Sequence, residues 1–117
     1  MKKDSFREFV LDQLSELGEV ECRIMFGGYG LYYGGGLGRA FFGIIYKGRL
    51  YFKIDPGTLP AYIEMGMKPF RPNAKMTLKT YFEVPADIIE DPDQLTEWAS
   101  KALQCRSPKK PANRPKR

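Results

Sequence analysis

Between Glu19 and Ile54 the sequence breaks into short runs of aromatic and β-branched residues, each cut off by glycine, and no helix of ordinary length fits between the cuts. That stretch restricts the fold to a meander of antiparallel strands. Glu21 to Phe26 and Gly28 to Tyr33 read as the first two strands. Four glycines and a leucine at 34–38 then supply residues able to take positive φ at a turn. Ala40 to Tyr46 reads as a third strand, dense enough in apolar residues to be largely covered. Lys47-Gly48 separates it from Arg49 to Ile54, where Leu50, Phe52 and Ile54 alternate with Arg49, Tyr51 and Lys53, the pattern of a hairpin.

Helical signals flank the meander. Phe6, Phe9, Val10, Leu14 and Leu17 recur at helical spacing, Ser5 with Glu8 forms a capping box, and Gly18 stops the run. Asp55-Pro56-Gly57 is a turn, and Leu59 to Met65 makes a short helix closed by Gly66. Met76 to Val84 is a late strand with Met76, Leu78, Phe82 and Val84 on one face, ended by Pro85. The last helix is the best specified: Asp91 as N-cap, Pro92 at the first position, Gln94 at the third, then Leu95, Trp98, Ala99, Ala102 and Leu103 on one stripe. The order predicts an α+β fold of two layers, an antiparallel sheet with helices packed on one face: helix, three to four strands, short helix, one to two strands, C-terminal helix. At 117 residues there is room for one such core. It is assigned to residues 1–105, with 106–117 expected as a disordered basic tail of three prolines, six cations and no bulky apolar side chain.

That tail changes the meaning of the net charge of +5. Six of the 19 basic side chains fall in it with no acid, which leaves 13 against 14 acids in the body, a charge of −1. The body is therefore not a basic nucleic-acid binder. Arg106, Lys109, Lys110, Arg114, Lys116 and Arg117 are instead the candidate nucleic-acid contacts, expected to bind by counterion release, salt-dependent and sequence-blind. The N-terminus carries no apolar stretch of a signal peptide, and no run approaches the roughly 18 residues that span a bilayer, so a cytoplasmic, non-membrane protein is expected. Cys22 and Cys105 form no C-x-x-C pair and are read as unpaired structural thiols.

No histidine is present, which removes the usual neutral-pH general base and the commonest zinc ligand. The glycine-rich places fail as phosphate loops on context. Gly27-Gly28-Tyr29-Gly30 and 34–38 lack the G-x-G-x-x-G spacing, and Gly43 to Gly48 has Walker spacing but is followed by Arg49-Leu50. The carboxylates Glu83, Asp87, Glu90, Asp91 and Asp93 sit where a helix entry uses them as caps. The strand aromatics serve a core before a base-stacking face. A small-ligand cleft between sheet and helices, lined by Lys53, Glu64, Tyr81 or Glu83, stays open as an alternative.

Four blocks carry a resemblance: Met25-Phe26-Gly27-Gly28-Tyr29-Gly30-Leu31-Tyr32, Gly48-Arg49-Leu50-Tyr51-Phe52-Lys53, Gly66-Met67-Lys68-Pro69-Phe70, and Tyr81-Phe82-Glu83-Val84-Pro85 with Trp98-Ala99. In that order, over about residues 5–105, they resemble the TfoX N-terminal domain family. The resemblance implies a two-layer α+β domain that regulates transcription of competence genes in bacteria by binding protein, alongside a cyclic-AMP receptor protein, and not by catalysis. It supplies no catalytic residue, cofactor or metal ligand. Full-length regulators of this kind add a helical C-terminal domain, so the chain is read as a stand-alone first domain. Met25, Phe26, Gly27, Gly28, Tyr29, Gly30, Arg49 and Tyr51 are the family-motif residues, structural or partner-binding. The expected partner is a protein, either transcription machinery or a regulator, with a second copy of the chain also in view.

Overall fold

A computed structural model of the chain describes residues 5–25, 27–34 and 40–105. The elements run α1 (Ser5–Gln13), β1 (Val20–Met25), β2 (Gly28–Tyr33), β3 (Ala40–Tyr46), β4 (Arg49–Lys53), α2 (Leu59–Glu64), β5 (Pro69–Asn73), β6 (Met76–Glu83), α3 (Ala86–Ile89) and α4 (Pro92–Gln104), with a 3-10 turn at Ser15–Leu17. The strands form one antiparallel sheet in the order β1-β2-β3-β4-β6-β5. The helices lie on one face, as the pattern predicts. Val10 of α1, Leu14 just after it, Tyr62 of α2, Ile88 and Ile89 of α3, and Leu95, Ala99 and Ala102 of α4 close over Leu31, Phe42, Phe52 and Phe82.

The β3–β4 hairpin turns on two residues with positive φ, Lys47 at 51° and Gly48 at 75°, which matches the twist of the strands it joins. Asp91 caps α4 as expected, its Oδ1 accepting from the backbone N–H of Asp93 and Gln94 at 3.1 and 3.3 Å.

One extra residue in β3 decides what each face holds. Leu31 stands opposite Gly43 but Tyr32 opposite Phe41, so Phe42 is bulged out of the ladder. Phe42 and Ile45 thereby enter the helix-side core, while Phe41 and Ile44 turn to the other face. The run from Phe42 to Ile45 is buried throughout because both faces are covered.

The opposite face is covered by the sheet itself. Phe70, fully buried in β5, packs against Tyr46 at 5.3 Å and Tyr51 at 4.7 Å between ring centroids. Yet β5 lies two places from β4 and three from β3 in the sheet. The β5–β6 hairpin therefore curls back across this face, bent by register irregularities on either side of Phe70, and the Tyr46 hydroxyl donates to the Pro72 carbonyl at 3.4 Å. These irregularities also break the single apolar face expected of β6. Phe82 and Val84 join the helix-side core, Leu78 packs in the second cluster, and Met76 is exposed. Phe9 is likewise exposed, because α1 aims Val10 inward instead, with Leu14 buried just beyond its end.

Candidate functional site

The described family-motif residues divide between the two faces, and each has a structural task. Met25 stands opposite Gly28 in the β1–β2 ladder. A Cβ on Gly30 would lie 2.5 Å from the Met25 sulfur and 3.0 Å from the Phe41 ring, so that glycine is the floor on which both side chains rest. A Cβ on Gly28 would collide with the Ile45 carbonyl oxygen and reach 3.1 Å from the Tyr46 ring. Gly27 has φ of 83°, as the β1–β2 turn requires. Tyr29 packs on the helix-side core beneath the Arg7 guanidinium, 5.1 Å from its ring. Tyr51 is buried against Phe70, and burial raises its phenol above the ordinary range. Arg49 Nη1 holds both carboxylate oxygens of Glu83 at 3.2 and 3.0 Å across β4 and β6. Phe26 lies outside the described residues, as do Arg106, Lys109, Lys110, Arg114, Lys116 and Arg117.

A concave feature of the described surface lies elsewhere, where the end of β4 meets α2 and α4. It is an open groove of about 420 Å³, lined by Lys53, Asp55, Gly57, Thr58, Ala61, Tyr62, Trp98, Lys101, Ala102 and Gln104. Its apolar floor is the edge-on pair Tyr62 and Trp98, 4.7 Å between centroids. Tyr62 is buried, which holds its phenol protonated far above neutral pH.

The groove's wall is a local consequence of sequence. Asp55 ends β4 by accepting the N–H of Gly57 and of Thr58 at 3.0 Å, while the Thr58 hydroxyl accepts the N–H of Asp55. The Thr58 N–H is the chief reason that the Asp55 carboxyl is held below the usual range. That acid is committed to the turn. Lys53 and Lys101 supply the rim's cationic groups, and Lys101 meets Glu97 only through an exposed contact of 3.5 Å.

Cys105 fastens the far end. Its thiol donates to the carbonyl oxygens of Lys101 at 3.3 Å and Lys53 at 3.7 Å, pinning the end of α4 to β4. Burial pushes the thiol up, so at neutral pH it is protonated and a poor nucleophile. Among the described residues no three of the metal-ligating types Cys, Asp and Glu come together as a cation site. Nor is any of their helices long and apolar enough to cross a membrane.

Of the residues expected to line a sheet–helix cleft, Lys53 alone does so. Tyr81 lies on the other face against Phe41 at 5.4 Å, Glu83 is paired with Arg49, and Glu64 points to solvent at the end of α2. Trp98 and Tyr62 were not legible as site residues, since helical spacing marks them only as core. A signal was present in Lys101, three residues beyond Trp98 and therefore on the same helical face.

Compared with curated proteins, the sequence matches none closely enough to count as a relative. A family model, that of the TfoX N-terminal domain, matches residues 12–106, which takes in every strand, the groove and all the described motif blocks. The chain belongs to the TfoX N-terminal domain family.

Proposed function

We propose that the chain is a non-enzymatic, competence-regulator-like adaptor domain that docks a segment of another protein, a component or regulator of the transcription machinery, in the α2–α4 groove. The observation that carries this reading is the groove's chemistry. Its aromatic floor of Tyr62 and Trp98 suits an apolar anchor, and its rim presents Lys53 and Lys101 while its one acid, Asp55, is engaged by backbone N–H groups. Six further cations follow Cys105, which sits at the groove's end. The matching ligand is a protein segment with an apolar side chain flanked by carboxylates, drawn in by the tail and held by the groove. Family membership supports a regulatory reading, and the protonated Cys105 fits binding better than covalent catalysis.

Photo-crosslinking in the source cell tests it, with a benzophenone side chain at Gln104 beside the groove and, as control, at Lys47 on the β3–β4 turn. The expected result is a protein adduct at Gln104 alone, lost in Lys53→Glu/Lys101→Glu and kept in a chain ending at Cys105. Adducts of equal yield at both positions, or nucleic acid alone at Gln104, overturn the reading and leave the basic tail as the binding element.

A further inference from the structure

The near-neutral charge of residues 1–105 conceals a separation of signs that the fold makes spatial. Between Glu64 and Glu83 the sequence holds no acid and four cations, Lys68, Arg71, Lys75 and Lys79, which leaves nine bases against 14 acids in the rest of that body. All four fall on the β5–β6 hairpin or at its base, and all four are exposed. Asp87, Glu90, Asp91, Asp93 and Glu97 belong instead to α3, α4 and the link between them, in the helix layer on the sheet's other side. Among the described residues none of the four cations has a carboxylate partner. The hairpin holds them in place. Asn73 stands opposite Met76, so Ala74-Lys75 is a two-residue turn with Lys75 at the tip. Arg71 braces that turn, its Nε donating to the Asn73 carbonyl at 3.4 Å and its Nη2 to the Ala74 carbonyl at 2.8 Å, and Asn73 Oδ1 accepts the Lys75 N–H at 2.8 Å. Two of the guanidinium N–H groups are thus engaged and the rest stay available. Phe70 and Leu78, the neighbours of Arg71 and Lys79 in the chain, pack onto the sheet, and strand alternation turns the two cations away from it.

We propose that the outer face of the β5–β6 hairpin binds the phosphate backbone of duplex nucleic acid without reading its sequence. Arg71 on β5, Lys79 on β6 and Lys75 at the tip spread positive charge over both strands of the ribbon. The length of β5, Pro69–Asn73, is about 17 Å at ~3.4 Å per residue. A duplex carries a phosphate every ~3.4 Å along each strand, so a ribbon of that length meets several of them in any register. An acidic protein segment would have to supply carboxylates at matching positions. A two-stranded ribbon is also the width that the major groove admits, between two walls of phosphate. The excess of acids in the rest of the body repels the same polyanion, which steers the helix layer away from the duplex and the hairpin toward it. The contact uses no residue of the α2–α4 groove, so it stands or falls apart from the proposed docking there.

Fluorescence anisotropy of a labelled duplex DNA of arbitrary sequence, titrated with the full chain at several salt concentrations, tests the assignment. Each phosphate contact adds about 0.9 to the fall of log K with log salt. Arg71→Gln/Lys75→Gln/Lys79→Gln should lower that slope by roughly 2–3 and weaken binding by about tenfold or more. Lys53→Gln/Lys101→Gln, in the groove, should leave both unchanged. Lys75→Gln/Lys79→Gln keeps the Arg71 brace, so it guards against a disturbed turn, and should lower the slope by about 2. A wild type that does not bind DNA, a slope unchanged in both hairpin variants, or an equal loss per charge in the groove variant overturns the proposal. So does poly-glutamate that competes with the DNA charge for charge, which assigns the face to an acidic protein.

Discussion

Replacing Gly28 by alanine places a methyl group against the Ile45 carbonyl oxygen and within 3.1 Å of the Tyr46 ring. The first neighbour is backbone, so it yields only if β2 and β3 separate. Overpacking of this kind costs about 1–3 kcal/mol, and losing about two ladder hydrogen bonds adds roughly 1 kcal/mol each. A total of about 3–5 kcal/mol corresponds to a Tm lowered by roughly 12–40 °C for a domain of this size. Two companions calibrate the result in the same calorimetric experiment. A Cβ at Gly48 meets nothing within 4 Å, so Gly48→Ala should lose only the preference of its positive φ for glycine, about 1 kcal/mol or roughly 4–8 °C. Gly30→Ala should fall between, because the nearest atom is the flexible end of Met25. If Gly28→Ala melts within a few degrees of wild type, or above Gly48→Ala, the close approach of β2 and β3 does not explain why glycine stands there.

Acid titration of Asp91→Ala against wild type tests the α4 cap. The Gln94 side chain and N–H hold the Asp91 carboxyl below its usual range, so its contribution is present above the unfolded value of about 3.9 and lost below it. The Tm gap between the two proteins, clear at pH 7, should close as pH falls below about 4. At the alkaline end, burial pushes Tyr81 up to about 12 and raises Tyr62 further, so their neutral forms stabilise the fold fully below pH 10 or so. Stability should fall as pH climbs from about 10 toward 12, less steeply in Tyr81→Phe, with absorbance at 295 nm showing late-titrating phenols among the seven tyrosines. Arg49→Ala should cost at most about 1 kcal/mol despite the motif it belongs to, because its ion pair with Glu83 is largely open to solvent. Thermal melts with and without about 1 M salt check this, and salt should shrink the difference.

The elements legible in the sequence were those whose cause is local. Gly28–Tyr33 and Ala40–Tyr46 are bounded by glycines or a turn, and the Asp91 cap with Pro92 fixes the start of α4 on its own. What escaped depends on partners far along the chain. Pro69-Phe70-Arg71-Pro72-Asn73 shows no strand pattern in sequence because of its two prolines, and forms the second of the one to two late strands because an edge position tolerates them. Helix α3 is a single turn after Pro85, made worthwhile by burial of Ile88 and Ile89 and by the Gln13 side chain, which donates to the Ile89 carbonyl at 2.9 Å. The bulge at Phe42 leaves no mark in composition, since either face accepts a phenylalanine. The candidate groove was hidden for a related reason: Tyr62 and Trp98 look like core residues in sequence, and only the geometry of α2 against α4 leaves their pair open on one side.

The middles of β3 and β4, Phe42–Ile45 and Leu50–Phe52, are dry on both sides, with Phe42 and Phe52 beneath the helices and Ile44 and Tyr51 beneath the curled hairpin. Water reaches their amides only when both layers have come away. In deuterium those amides should exchange at the rate set by complete unfolding, so they measure the stability of the whole domain. The amides of the exposed β5–β6 tip should exchange through smaller openings, far sooner. The molecule thus carries an internal standard at its centre, against which any loosening at its rims can be timed residue by residue.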